Sequence, residues 1–313
     1  MGKIAFLFPG QGAQYTGMGK EFYEKEKTAA GVFDTASKVT GLNLPALCFE
    51  ENGDLNQTQY TQIAMLTDEL AILSVLKEHG IRPAVTAGLS LGEYGAIVAS
   101  GIMRMEDAFR VVRERGIYMQ EAVPVGGAMS AVLGLAADVV ERVCEETEGT
   151  VTVANYNCPG QLVISGEAAA VEKAGAALKE LGAKRVVPLK VSGPFHSKML
   201  IPAGEKLERV LEDVELSDFT IPYVSNLMGD YVRDTKEIKF LLKMQISSPV
   251  KWQQSVEKMI EEGVDTFVEI GPGRTLCGFM KKINKEVKVL NIDKYEDLEK
   301  ALDELKGEVA ADA

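Results

Sequence analysis

Histidine and tryptophan are scarce in this chain of 313 residues, which contains two histidines and one tryptophan. Histidine is the side chain whose unperturbed pKa lies nearest neutral pH, and it is the most frequent general base of enzymes. If this protein uses a histidine base, the choice lies between His79 and His196.

Cysteine is also rare and shows no pattern. The four cysteines are spread along the whole chain: Cys48, Cys144, Cys158 and Cys277. The absence of a C-x-x-C pair disfavours a zinc site, a redox motif and a disulfide framework. We therefore expect reduced thiols, no metal site and a cytoplasmic protein.

The chain lacks long apolar runs and an excess of positive charge. Its first apolar run, residues 4–8, stops at Pro9-Gly10 and is typical of a strand rather than a secretory signal. No run approaches the roughly 18 residues that a membrane span needs. The 34 Lys and Arg residues against 46 Asp and Glu give a net charge of −12, which argues against a nucleic-acid footprint. We expect neither a membrane nor a nucleic acid as partner.

The order of predicted elements indicates an α/β protein. Strands and helices alternate over the first 123 residues, as in a mostly parallel sheet covered by helices. Residues 126–191 follow the order β-α-β-β-α-β, which is typical of a ferredoxin-like module. We therefore predict a large catalytic domain, residues 1–125 and 192–313, with an inserted small subdomain at 126–191.

The segment Gly88-Leu89-Ser90-Leu91-Gly92 has the G-x-S-x-G pattern of a nucleophile elbow. An apolar strand precedes it and a helical stretch follows, which is the context that such an elbow requires. Glycine is suited to positions 88 and 92 because the turn leaves little space for a side chain. Ser90 is the candidate nucleophile, although the pattern also occurs by chance in glycine-rich chains.

A serine nucleophile needs a base, and His196 is the better candidate. His79 ends a predicted helix before Gly80, a typical position for a helix-capping residue. His196 follows Gly193-Pro194 directly after the predicted subdomain, where it can face a cleft between the two domains. No acid can be chosen as its partner by spacing, and a backbone carbonyl can orient an imidazole equally well. We therefore predict a Ser–His dyad.

Arg115 lies on the apolar face of a predicted helix over 104–123. An arginine on such a face is costly unless it is paired. Two structural explanations remain open: the side chain reaches the surface, or it pairs with an internal acid. The functional alternative is a clamp for a substrate carboxylate.

The glycine-rich loop after the first strand, residues 8–14, matches neither a dinucleotide fingerprint nor a P-loop. Its backbone N–H groups around Gln11 can form an oxyanion hole together with the N–H of Leu91. The alternative is an ordinary turn between a strand and a helix.

Together these motifs resemble the malonyl-CoA:acyl carrier protein transacylases, and the match runs nearly end to end. Besides the elbow, it rests on stretches spread along the chain: Phe8-Pro9-Gly10-Gln11-Gly12, Arg115-Gly116, Met119-Gln120, Asn155-Tyr156-Asn157, Pro159-Gly160-Gln161, Gly193–Ser197, Ser225-Asn226, Gln245, Ser248-Pro249-Val250, Trp252 and Ile270-Gly271-Pro272-Gly273. The resemblance implies an α/β-hydrolase-like large domain and a ferredoxin-like small subdomain, with the active site between them.

The resemblance also implies roles for individual residues. Ser90 is expected to carry the acyl group, His196 to act as the base and Arg115 to hold the malonyl carboxylate. The remaining roles are an oxyanion hole at Gln11 and Leu91, orientation of the histidine at Gln245, an acyl pocket at Phe195 and Met119, and substrate contacts at Gln62, Asn155 and Asn157. One departure is Leu89, because many acyltransferases have histidine just before the nucleophile.

The partners implied by the resemblance are malonyl-CoA and a holo acyl carrier protein, whose phosphopantetheine thiol accepts the acyl group. No metal or redox cofactor is expected, and the protein is expected to be a monomer. Because carrier proteins are acidic, exposed basic residues are candidates for docking: Lys184, Arg185, Lys281 and Lys282.

Two other functions stay open at this stage. A serine thioesterase or esterase shares the elbow but uses water as acceptor. This sequence lacks the H-G-G-G-type loop and the late histidine that are typical of such enzymes. A non-catalytic binding module for a carrier protein or nucleotide would not depend on Ser90.

Overall fold

The computed structural model describes residues 2–191 and 193–311, in which ten strands form two sheets. The strands are β1 (Lys3–Phe8), β2 (Val85–Gly88), β3 (Gly127–Leu133), β4 (Val151–Cys158), β5 (Gln161–Glu167), β6 (Arg185–Pro188), β7 (Tyr223–Ser225), β8 (Asp230–Tyr231), β9 (Val264–Ile270) and β10 (Lys288–Ile292).

Helices surround these sheets. They are α1 (Lys20–Lys25), α2 (Lys27–Thr40), α3 (Leu44–Phe49), α4 (Thr58–Glu78), α5 (Gly92–Ala99), α6 (Met105–Ala122), α7 (Ala137–Glu146), α8 (Ala168–Glu180), α9 (Ile201–Glu212), α10 (Ile238–Gln245), α11 (Trp252–Glu261), α12 (Thr275–Ile283) and α13 (Tyr295–Ala311). Short 3₁₀ turns lie at Asp54–Asn56, Lys198–Leu200 and Thr235–Glu237. No helix in the described ranges combines the length and the apolar character needed to cross a membrane.

The larger sheet has the strand order β10-β9-β1-β2-β7-β8 and is parallel except for the short edge strand β8. Its central strand β1 is buried on both faces: Phe6 and Phe8 belong to an apolar cluster that includes residues of α2, α4 and α6, whereas Ala5 and Leu7 belong to one that includes residues of α11 and α12. Burial on both sides explains why β1 is a continuous apolar run without alternation. The predicted α/β class with a mostly parallel sheet is confirmed.

The smaller sheet is antiparallel, with the order β4-β5-β3-β6. Helices α7 and α8 pack on it and enclose a separate apolar cluster that includes Val132, Ile164 and Leu178. The order β3-α7-β4-β5-α8-β6 is the ferredoxin-like order expected from the sequence. The domain limits stay predictions, and Ser192, where the second part of the large domain is expected to begin, lies outside the described residues.

The sequence pattern predicts a helical stretch over 235–262 that is interrupted near Pro249. The interruption is present: residues 246–251 separate α10 from α11, since Pro249 cannot donate a backbone hydrogen bond. Other helices differ from the pattern. A helix predicted over 62–79 begins earlier, at Thr58, and ends at Glu78. The pattern misses the six-residue α3, which is too short for a clear helical period.

The turn between β2 and α5 explains two glycines of the sequence motif. A Cβ atom on Gly88 would lie 1.9 Å from the carbonyl oxygen of Gly92, and one on Gly92 would lie 2.1 Å from the carbonyl oxygen of Phe8. Both neighbours are backbone atoms that cannot move aside easily. Helix α5 therefore approaches β1 at a distance that only glycine permits.

This close approach predicts that Gly92→Ala destabilises the protein. Alanine improves helix propensity by about 1 kcal/mol, but overpacking against the backbone of β1 costs about 3 kcal/mol, so a net loss is expected in urea unfolding. The matched control is Gly278→Ala in α12, where an added Cβ meets nothing within 4 Å and stability should rise. A Gly92→Ala protein as stable as the wild type would contradict the close approach.

Candidate active site

Ser90 and His196 share an unusual backbone conformation. Their φ angles are 53° and 58°, and they are the two non-glycine residues with positive φ in the ranges that the structure describes. This region is disfavoured for side chains other than glycine, and such strain is typical of functional sites. The strained turn at Ser90 lies between β2 and α5, as expected of a nucleophile elbow, and Ser90 lines a cavity.

The two strained residues contact each other. Ser90 Oγ lies 2.7 Å from His196 Nε2, and His196 Nδ1 lies 2.8 Å from the main-chain oxygen of Gln245. A carbonyl can only accept, so Nδ1 carries the proton and Nε2 is free to accept the serine proton. The histidine is thus oriented by a neutral carbonyl, as a Ser–His dyad requires.

The pKa of His196 is shifted so that the imidazole is neutral. The side chain is 3% exposed, and burial lowers its pKa to about 4, with the positive charge of Arg115 acting in the same direction. Its hydrogen bonds to the main chain of Gln245 and Ser248 oppose this shift. At neutral pH the base is therefore unprotonated and ready to accept a proton.

Arg115 is fully buried and its guanidinium lies beside the nucleophile. Its Nη1 donates to Gln62 Oε1 at 2.6 Å, and its Nη2 donates to Gln245 Oε1 at 2.9 Å and to Ser90 Oγ at 3.2 Å. The guanidinium also lies over the ring of Tyr94, 5.5 Å from its centroid. Of the two structural explanations above, surface exposure is excluded by the burial, and no carboxylate of the described residues lies within ion-pair distance. The buried cation has neutral hydrogen-bond partners.

Asn226 fixes the backbone of the elbow. Its Oδ1 accepts from the main-chain N–H of Ser90 at 2.6 Å, and its Nδ2 donates to the carbonyl of Gly88 at 2.6 Å. On the other side of the turn, Gln245 Nε2 donates to the carbonyl of Ser90 at 2.8 Å. These bonds hold the strained serine from two elements that are distant in sequence.

A cavity of about 190 Å³ opens above the dyad and brings together most of the predicted site residues. Its walls include Ser90, His196, Gln11, Leu91, Leu89, Gln62, Met119, Phe195, Asn155 and Asn157. A larger cavity of about 580 Å³ lies between the loop at 15–22 and the start of α13, but the dyad does not line it. Ser90 and His196 both line the smaller cavity.

Three predicted residues have contacts that refine their expected roles. Gln62 does line the cavity, but its Oε1 is engaged by Arg115 and its Nε2 lies 3.5 Å from Met119 Sδ. Gln11 Nε2 donates to Thr58 Oγ1 at 2.9 Å, which fixes the loop beside Ser90. The oxyanion-hole and substrate-contact roles stay predictions.

The sequence reasoning missed Glu93, Tyr94 and the structural role of Asn226. Glu93 and Tyr94 follow the elbow directly. Glu93 could have been recognised from the sequence, because it is a charged residue in an otherwise apolar predicted helix. Asn226 belongs to a stretch that carried the resemblance, but nothing in its local sequence indicates a contact with Ser90.

The family model of the acyl transferase domain matches residues 5–300. The chain belongs to the acyl transferase family. Relatives of the chain confirm the resemblance to malonyl-CoA:acyl carrier protein transacylases.

Curated relatives and solved structures carry this name. The chain is 48% identical to the malonyl CoA-acyl carrier protein transacylase of Bacillus subtilis, over 98% of this chain and 99% of that protein. The crystal structure of the transacylase from Clostridium perfringens superimposes with a TM-score of 0.96 at 46% identity, covering 99% of this chain and 100% of that one. A malonyl-transacylase solved with a type II PKS acyl-carrier protein gives a TM-score of 0.93 at 40% identity, covering 96% and 99%.

The lowered pKa of His196 predicts the acid limit of serine reactivity. Because only the neutral imidazole accepts a proton, the rate at which a sulfonyl fluoride modifies Ser90 should stay constant down to about pH 5 and fall with a midpoint near the His196 pKa of about 4. Intact mass measures the modification, and circular dichroism checks that the fold persists. A midpoint near 6.5, the value of a solvated histidine, would contradict the burial of His196.

Proposed function

We propose that this protein transfers the malonyl group of malonyl-CoA to the phosphopantetheine thiol of an acyl carrier protein, through a malonyl ester of Ser90. The observation that carries the proposal is Arg115, a buried cation that has no direct carboxylate partner among the described residues and whose Nη2 lies 3.2 Å from Ser90 Oγ. The names of the relatives and the carrier-protein complex of one of them support the same reaction.

The position of Arg115 suits a malonyl group. In malonyl thioesters the carboxylate is one methylene away from the carbonyl that serine attacks. A guanidinium in hydrogen-bond contact with Ser90 Oγ can therefore bind that carboxylate while the carbonyl carbon is at the nucleophile. Arginine presents two parallel donors to a carboxylate, and burial strengthens the interaction. An acetyl group has no carboxylate that Arg115 could bind.

The first half-reaction acylates Ser90. His196 Nε2 accepts the hydroxyl proton while Ser90 Oγ attacks the thioester carbonyl. The resulting oxyanion is stabilised by the main-chain N–H groups of Gln11 and Leu91, which line the same cavity as Ser90. The tetrahedral intermediate then expels the CoA thiolate, which receives the proton from His196.

The second half-reaction repeats these steps with another thiol. His196 takes the proton of the phosphopantetheine thiol, and the thiolate attacks the malonyl ester on Ser90. The ester bond breaks, and the serine oxygen recovers its proton from His196. Arg115 holds the carboxylate throughout, so the acyl group stays in place between the two thiols.

The other parts of the proposal follow from this mechanism. Phe195 and Met119 form the wall of the acyl pocket, and Asn155 and Asn157 contact the substrate. Acid–base chemistry at the dyad suffices, so neither a metal nor a redox cofactor takes part. We further propose a cytoplasmic monomer that binds no nucleic acid, and an acidic carrier protein that docks at the exposed Lys184, Arg185, Lys281 and Lys282.

A serine thioesterase would use the same dyad with water as acceptor. The comparisons favour the transacylase, since the relatives named above are transacylases and one of them was solved with a carrier protein. A non-catalytic binding module would not explain why Ser90 and His196 adopt a strained backbone and contact each other.

The nucleophile is tested by intact-protein mass after mixing with malonyl-CoA. The wild type should gain one malonyl group, which holo carrier protein then removes, and Ser90→Ala should gain none. An adduct that water removes at the same rate with or without carrier protein would support the thioesterase. Modification of Ser90→Ala would contradict the assigned nucleophile.

Arg115→Ala tests the choice of acyl group. Loss of the charge should weaken malonyl transfer by about 2–5 kcal/mol in transition-state binding, because the malonyl carboxylate is left buried and unpaired. Acetyl transfer should lose less or improve. Values of kcat/KM for both acyl-CoA donors measure the difference, and equal losses would show that Arg115 has no clamp role.

A further inference from the structure

Glu93 is a second buried charge beside the dyad, and the mechanism above gives it no role. It lies on α5 directly after the elbow and is 1% exposed. Its Oε1 accepts from Tyr223 Oη at 2.9 Å and from the N–H of Asn226 at 3.2 Å, and its Oε2 accepts from Gln245 Nε2 at 2.6 Å. Three converging donors are what an ionised carboxylate needs when it is buried.

One amide group separates Glu93 from Arg115. Gln245 donates to Glu93 through Nε2 and accepts from Arg115 Nη2 through Oε1. The amide dipole therefore has its positive end at the carboxylate and its negative end at the guanidinium. These three side chains form a continuous chain of cation, amide and anion, in which the two buried charges compensate each other.

We propose that Glu93 is the counter-charge of Arg115 in the free enzyme and takes up a proton when the malonyl carboxylate binds Arg115. This inference rests on the proposed function, because it requires an anionic acyl group on Ser90. Two anions beside one buried cation would leave a net negative charge in a medium of low dielectric. Protonation of Glu93 removes this charge, whereas an acetyl group leaves the pair of Arg115 and Glu93 as it was.

Glu93 has a pKa near neutral pH, whereas the two phenols beside it stay neutral there. Burial raises its pKa to about 7, against the hydrogen bonds from Gln245, Tyr223 and Asn226, which lower it. Burial also raises the pKa values of Tyr94, on the same helix, and of Tyr223 on β7, so both phenols stay neutral.

Two further titratable groups come from neighbouring elements. Glu69 of α4 reaches α5 at Gly95, and burial, together with the nearby Asp68, raises its pKa well above the usual value. His196 interacts with Arg115 and is neutral at pH 7, since its pKa is lowered to about 4.

The proton balance of acylation separates the two acyl groups. The bond from Ser90 Oγ to the carbonyl carbon forms, the carbon–sulfur bond breaks, and the serine proton passes through His196 to the CoA thiolate. The proton that Glu93 binds is an additional one from solvent. Malonylation above pH 7 therefore consumes a proton that acetylation does not.

Proton uptake during acylation is the direct test. The wild type reacts with malonyl-CoA or acetyl-CoA in a weakly buffered solution that contains a pH-indicator dye, and intact mass gives the extent of acylation. Uptake should approach about one proton per malonylated serine as the pH rises above 7, with none for acetylation. Equal uptake for both donors would overturn the inference, whereas absence of a malonyl adduct would instead contradict the proposed function.

Glu93→Gln removes the titrating group while keeping its shape. In the wild type, the ratio of malonyl to acetyl kcat/KM should fall about tenfold between pH 7 and pH 9, because linkage weakens malonyl binding once Glu93 is ionised. In Glu93→Gln the ratio should be independent of pH, and the extra proton uptake should vanish. A persisting fall in the variant would refute the role of Glu93.

Two further variants separate this role from a structural one. Glu269→Gln removes another buried carboxylate, which accepts from the N–H groups of Leu276 and Cys277, and should keep the pH dependence of the wild type. Tyr223→Phe removes one donor to Glu93 and thereby raises the Glu93 pKa, so uptake should begin at a higher pH. If Glu93→Gln does not fold, an unchanged onset in Tyr223→Phe overturns the inference.

Discussion

The positive charge of Arg115 is fully buried, and the rest of the site is arranged around that charge. Its three hydrogen-bond partners are uncharged: two glutamine amides and the hydroxyl of Ser90. Because its direct partners are neutral and its counter-charge, Glu93, lies one amide away, the guanidinium interacts favourably with an anion that arrives beside Ser90. Binding energy is therefore concentrated on the carboxylate of the substrate, at hydrogen-bond distance from the nucleophile.

The strained backbone at Ser90 and His196 persists because distant elements hold it. Asn226, after β7, binds the carbonyl of Gly88 and the N–H of Ser90. Gln245, at the end of α10, binds the carbonyl of Ser90 and orients His196 through its own carbonyl. Each bond offsets part of the cost of a positive φ angle. The nucleophile and the base are thus positioned by the large sheet and by α10 together, so their separation depends on the packing of the whole domain.

Local sequence patterns account for what could be predicted. The glycines around Ser90 mark a close approach of backbones, and Arg115 is visible as a polar residue on an apolar helical face. His196 followed from the scarcity of histidine and from the resemblance. The contacts that complete the site join residues far apart in the chain, such as Ser90 and Asn226, 136 positions apart. No periodicity records such pairings, since they arise from the crossing of helices and strands in three dimensions.

The same electrostatic constraint explains why a carbonyl, and not a carboxylate, orients His196. A fixed anion at that position would raise the basicity of the imidazole, but it would also repel the malonyl carboxylate that we propose Arg115 to bind. The carbonyl of Gln245 fixes the tautomer without adding charge. The acid that the site does contain, Glu93, lies one amide further from the substrate and has a pKa near 7, so its charge can be removed when a second anion enters. A site that alternates between an empty and an anionic state can contain no fixed negative charge close to the bound anion. The carbonyl that orients His196 carries no charge, and Glu93 can lose its charge by protonation.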